Sequence, residues 1–236
     1  MFRRVVVLLT TLFLLNAINA TACETVTAQQ VADALNNAPG LQSGLKSCSM
    51  AAMAMIESGG GNTCAHNSCC VGILQLNVSS GGANLSSEDR LAYQNADLQT
   101  QVDGWVATAN SNAGSWGYQA LLVAYNSNSP IDGYKVTGGT LAACEQFGAA
   151  VCNHNVQSLQ STGGCGSYTD GAGHTGGQTV CSWGQHADQQ AANQNCTLNG
   201  SKSNGGTSCP TNNTTPGTII SPSPGNAPVS LPPNLA

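Results

Sequence analysis

Charge is what this chain has least of. Only 7% of its residues are Asp, Glu, Lys or Arg, and just six are basic. Two of those six, Arg3 and Arg4, fall in a segment that reads as an export signal. Its removal leaves four basic residues against eleven acids, a net charge of −7. A mature chain of that sign is a poor ligand for nucleic acid or for an anionic membrane. Apolar runs of membrane-spanning length are also missing, since residues 5–15 are too few and no later stretch qualifies. There is no phosphate-binding loop, dinucleotide fingerprint or serine-nucleophile elbow, and no internal repeat. With so little charge, the surface must be built from Asn, Gln, Ser, Thr and Gly.

What is present at the N-terminus is a basic pair, an apolar stretch and small residues at Ala17, Ala20 and Ala22, the order of a signal peptide. Cleavage after Ala20 and after Ala22 both fit. The second satisfies the small-x-small pattern better and would make Cys23 the first mature residue, as in a bacterial lipoprotein, although Ala20 stands where such signals carry leucine. Residues 1–22 are therefore read as a signal peptide and the product as periplasmic or extracellular. A lipid on Cys23, giving an outer-membrane lipoprotein, is an alternative and the chain's one route to a membrane.

Eleven cysteines agree with export, because an oxidising compartment pairs them. Pairing leaves one over, and lipid on Cys23 would leave an even ten. Cys48, Cys64, Cys69 and Cys70 lie in the first half and six more run from Cys144 to Cys209, which suggests pairing within each group. The cluster Cys64, His66, Cys69 and Cys70 lacks the second spaced pair of a zinc finger. Disulfides are the preferred reading there, and neither metal nor cofactor is expected.

Periodicity predicts a mainly α-helical protein. Residues 27–37 place Val31, Ala34 and Leu35 on one helical face. Residues 47–58 form a second helix, apolar on every side. Residues 62–68 are a cysteine-bearing loop, and residues 71–78 a short extended segment. Ser86 caps a helix with an acidic first turn, and helical spacing continues from Leu91 to about Ala109. Further helices are predicted over residues 118–125 and 141–159. From Thr162 the composition turns to Gly, Cys, Ser and Gln, too poor in large apolar residues for much core. The expected organisation is a signal peptide (1–22), a compact domain (23–140), a disulfide-stapled appendix (141–209) and a disordered Pro/Asn/Thr/Ser-rich tail (210–236).

One acidic residue stands out. Glu57 closes the apolar run Ala51-Ala52-Met53-Ala54-Met55-Ile56, and Ser58 and three glycines follow it. Burial disfavours a charged carboxylate, and the partial negative charge of a helix C-terminus acts in the same direction. A carboxyl that keeps its proton near neutral pH suits general-acid chemistry. The plainer alternative is a capping glutamate at a solvated helix end.

Glu57-Ser58 is followed, eighteen residues after the glutamate, by Gln75 within Gly72-Ile73-Leu74-Gln75-Leu76, and later by Ala124-Tyr125-Asn126. In that order these motifs resemble the catalytic domain of the soluble lytic transglycosylases, a family of lysozyme-like fold. The resemblance covers roughly residues 45–136, including Asn95-Ala96-Asp97-Leu98-Gln99. It implies a lysozyme-like domain with a small extended element, acting on peptidoglycan glycan strands, with Glu57 as the catalytic acid and Ser58, Gln75, Tyr125 and Asn126 as substrate-binding residues. It further implies that Glu57 protonates the bond between N-acetylmuramic acid and N-acetylglucosamine, then accepts the C6-hydroxyl proton as a 1,6-anhydro ring closes. Members of the family open the wall for secretion or conjugation machinery, a role nothing in this chain selects. The chain departs from the family at Cys69-Cys70, where Gly-Ala is usual, and at His66, where a serine is. A Cys64–Cys69 or Cys48–Cys70 bond would brace that loop. Two rivals stay open. One is a lysozyme-type hydrolase, needing a second carboxylate, with Asp97 and Asp103 the candidates, or a held water. The other is a non-catalytic wall-binding or assembly protein.

Overall fold

The computed structural model describes residues 23–78, 82–166 and 178–198, together with the backbone of 201–202. The segments expected to be a signal peptide (1–22) and a disordered tail (210–236), and Cys209, lie outside the described residues. Seven helices dominate: α1 (Ala28–Asn37), α2 (Cys48–Glu57), α3 (Ser87–Gln94), α4 (Leu98–Ala113), α5 (Trp116–Ser127), α6 (Gly138–Thr162) and α7 (Val180–Asn193). A 3-10 turn (Ser43–Leu45) precedes α2. Among the described residues, strands are limited to two antiparallel pairs, β1 (Cys70–Val71) with β2 (Leu76–Asn77), and β3 (Thr197–Leu198) with β4 (Ser201–Lys202).

Local chemistry sets most helix starts. Thr27 and Gln30 form a capping box at α1, and Thr137 with Thr140 does so at α6. Ser47, Ser86 and Asp97 accept hydrogen bonds from backbone N–H groups at the starts of α2, α3 and α4. The unbroken helical spacing read across residues 86–109 is two helices. Asp97 is extended and caps a new start, so the chain turns at residues 95–97.

Around α2 the remaining helices form one core. Every residue from Cys48 to Ala54 is buried, and α1, α6 and α7 pack against it. An all-apolar helix needs such surroundings, because any solvated face would expose hydrocarbon.

The helix α7 overturns the expectation of a core-poor appendix. Val180, Trp183, Ala187 and Ala191 keep helical spacing and join the same core, with Trp183 only 1% exposed and edge-on to Phe147. Small residues replace large ones because the helices cross closely. A Cβ on Gly139 would lie 2.0 Å from the Gly184 carbonyl oxygen. The Asp188 carboxylate fastens the crossing, accepting from the Ser49 hydroxyl at 2.6 Å and the Gly139 N–H at 2.8 Å. The boundary drawn at residue 140 thus falls inside α6, where the packing is continuous.

Among the described residues the disulfides are Cys23–Cys64, Cys48–Cys196, Cys69–Cys70, Cys144–Cys152 and Cys165–Cys181, of which the last three pair within the two groups as expected. Neither Cys64–Cys69 nor Cys48–Cys70 forms, and Cys48–Cys196 crosses the two groups. Because Cys23 is bonded to Cys64, its sulfur is not free to carry lipid, and that reading is withdrawn. Cys144 and Cys152 have Cα atoms 4.9 Å apart, whereas eight residues of straight helix would span about 12 Å. The chain turns between them at Gly148, whose backbone (φ 77°, ψ 171°) only glycine adopts readily.

Substituting Gly139→Ala tests whether α7 belongs to the core. The added methyl must push against backbone, and the expected loss is roughly 1–3 kcal/mol in denaturant unfolding. A tethered appendix would give no change in midpoint.

Candidate active site

The C-terminus of α2 delivers Glu57 to the edge of the core. Ser58 caps the helix, its N–H donating to the Ala54 carbonyl and its hydroxyl accepting from the Gly61 N–H at 2.9 Å. Gly59, Gly60 and Gly61 all have positive φ, the conformation that ends a helix abruptly. At Gly61 a side chain would strike the Val26 carbonyl oxygen at 2.2 Å. The turn is thereby pressed against the N-terminal segment, which the Cys23–Cys64 bond holds in place.

A cavity of about 550 Å³ opens beside this turn. Glu57, Ser58, His66, Asn67, Gln75 and Gln94 are among the residues lining it. The Glu57 carboxyl is largely withdrawn from water, and its Oε1 is buried with no hydrogen-bond partner. Burial pushes its pKa from 4.5 up to about 7, and a hydrogen bond from the Gln146 side chain on α6 pulls weakly the other way. Glu57 is the one carboxylate among the lining residues. Asp97 is occupied as the α4 cap, and Asp103 accepts from Gln99 at 2.8 Å on an exposed helix face. Neither lines the cavity.

Gln75 serves the loop that shapes the cavity. It has positive φ, and its amide donates to the Gly72 carbonyl at 2.8 Å and the Ala65 carbonyl at 3.3 Å. Its Oε1 accepts from Asn67 at 3.1 Å. Asn67 in turn accepts from the N–H groups of Cys69 and Cys70. Both amide hydrogens of Gln75 are thus spent on the fold, and one acceptor lone pair remains for a ligand. His66 Nδ1 lies 3.0 Å from the Cys64 carbonyl and 2.9 Å from the Gln94 amide nitrogen.

Of the five residues singled out from sequence, the structure gathers Glu57, Ser58 and Gln75 around one cavity. Tyr125 and Asn126 lie apart from its lining, near the exposed end of α5, with Tyr125 39% exposed. A second cavity, of about 520 Å³, follows the outer face of α5 past Trp116 and Val123, and no titratable side chain lines it.

Two residues were missed in the sequence. Gln146 lies close enough to the Glu57 carboxyl to temper its raised pKa, and its neighbour Glu145 is a second buried acid. Asn112 donates to Glu145 Oε1 at 3.0 Å, while Oε2 has no partner. Burial raises the Glu145 pKa to about 8, against the opposing Asn112 hydrogen bond. The Tyr118 hydroxyl, also buried without a partner, is held well above its ordinary pKa by burial first, then by Glu145 and Tyr125. An acid embedded in Leu141-Ala142-Ala143-Cys144 is the same signal that singled out Glu57. For Gln146 the sequence carries none.

No family model, curated protein or solved structure matches this chain.

Both buried acids keep their protons to higher pH in the folded chain than in the unfolded one. Unfolding therefore releases protons between pH 4.5 and about 7 for Glu57 and about 8 for Glu145, and stability falls as pH rises through that window. Denaturant midpoints measured from pH 5 to 8 should decline. Glu57→Gln, which removes one of the two costs, should gain up to about 3 kcal/mol at neutral pH.

Proposed function

We propose that this protein is an exported lytic transglycosylase of lysozyme-like architecture, cutting peptidoglycan glycan strands without consuming water. The observation that carries this reading is a lone buried carboxyl, its pKa near 7, in a cavity lined otherwise by neutral polar groups and a histidine. Ordinary glycosidases need two carboxylates flanking the bond. With one, attack by the substrate's own hydroxyl supplies the nucleophile that a second carboxylate would otherwise activate.

In this mechanism Glu57 gives its proton to the glycosidic oxygen as the bond to C1 of the muramic acid breaks. The N-acetyl carbonyl of the same sugar eases the positive charge developing at C1. The carboxylate then takes the proton of the C6 hydroxyl as that oxygen bonds C1, so acid and base are one group and the proton count closes. Holding the hydroxyl within the same sugar gives it a very high effective concentration. Gln146 is the positioning residue for Glu57. Ser58 and the Gln75 loop set the shape of the donor side, and the amides of Asn67 and Gln94 suit the N-acetyl and hydroxyl groups of amino sugars. Tyr125 and Asn126 have no contact with the cavity to give them a part in this step. The disulfides favour an oxidising compartment, periplasmic or extracellular.

Intact-mass analysis of digested muropeptides tests the reaction. Products one water lighter than reducing ends support it, and reducing ends would point to a hydrolase. Glu57→Gln should lower activity at least about 10³-fold, since no other lining residue offers an equivalent proton. If wild type and Glu57→Gln are alike, or both inert, a wall-binding module on this scaffold becomes the better reading. The rate at limiting substrate should fall roughly tenfold per pH unit above about 7, as the acid loses its proton.

A further inference from the structure

Cations are so scarce in this chain that the position of each one is informative. Lys46 is committed to helix closure, its ammonium donating to the carbonyls of Asn36 and Ala38. Arg90, on α3, instead reaches the cavity wall, where Nη2 donates to the carbonyl of Asn67. Four residues on, Gln94 lines the cavity itself and donates to the Cys64 carbonyl. Side chains four apart share a helix face, so Arg90 stands next to Gln94 on α3, just outside the lining and bonded to Asn67 within it. His66 lines the same wall beside Gln94, with Nδ1 engaged and no partner at Nε2. Arg90 spends one of its five donors on Asn67. Nearby Asp89 is turned toward its own helix start, where its carboxylate accepts from the Ser86 hydroxyl at 2.7 Å.

We infer that Arg90 forms a carboxylate-binding edge beside the Glu57 cavity, matched to the acidic peptide stem that muramic acid carries. The inference rests on the transglycosylase reading and adds a substrate preference to it: stem-bearing glycan over bare glycan. Guanidinium is suited to this task because its planar fork meets a carboxylate through two parallel hydrogen bonds. The neutral amides along the rest of the wall take the sugar. Recognition is thereby divided between a charged rim and an uncharged floor.

The test compares two soluble ligands, a disaccharide-tetrapeptide and the same disaccharide without peptide, titrated calorimetrically into the full chain carrying Glu57→Gln. Stem-bearing ligand should bind roughly tenfold tighter. Adding Arg90→Gln, or raising salt from about 0.05 to about 0.5 M, should bring that ratio close to one. Arg90→Lys, which keeps charge and loses the fork, should retain part of the preference and serves if the glutamine variant folds poorly. A ratio near one before any change to Arg90, or one that survives both Arg90→Gln and high salt, overturns the inference. If anhydro ends still form from wild type in that case, only the stem preference is lost. If neither ligand binds and no anhydro ends form, the transglycosylase reading goes with it.

Discussion

Keeping the whole of α2 dry is the constraint on which the rest depends. A helix of Ala, Met, Ile and Cys has no face that water would favour, so the fold must supply neighbours all round. α1, α6 and α7 do this, and the close glycine crossing between α6 and α7 keeps them near enough. The same enclosure sets the chemistry. Because the helix ends where the enclosure ends, its last side chain is half in the core and half in a cavity. A carboxyl placed there holds its proton at a pH where free glutamate would not. Core packing and acid strength are thus two results of one arrangement, and a change that loosens the first should weaken the second.

Disulfides extend this control to the parts that cannot pack. The segment ahead of α1 has little apolar surface, and Cys23–Cys64 fixes it as a wall of the cavity. Cys69–Cys70 sits at the start of β1, next to the asparagine that organises the Gln75 loop. Cys144–Cys152 brackets the turn at Gly148, and the residues just before that turn are Glu145 and Gln146. One faces Asn112 inside the protein and the other reaches Glu57. Consecutive residues of a helix point about 100° apart, which lets the two side chains serve different sites.

What could be read from the chain depended on how local the physics was. The start of α3 was legible because a capping side chain and its N–H partner are three residues apart, as at Ser86. Glu57 was legible because an isolated acid in an apolar run is costly without a reason. The break at Asp97 was hidden by apolar spacing that continues across it. The helix α7 was hidden because Trp183 is its one large buried side chain, and the rest of its contact is made by Gly and Ala, which look like loop residues in a composition count. The Cys23–Cys64 and Cys48–Cys196 bonds and the approach of Gln146 to Glu57 join residues far apart in sequence, and spacing carries no trace of them. Tyr125 and Asn126 match the motif in order, yet neither is among the residues that line the cavity.

The bond between Cys48 and Cys196 encloses 148 positions of sequence separation in a covalent ring. A single backbone cut anywhere within that ring leaves both pieces attached, so the helix bearing the acid stays joined to the helices that shelter it. A protein working outside the cell among proteases would survive one clip as a nicked but undivided molecule. It would come apart only after a second cut or exposure to a reductant.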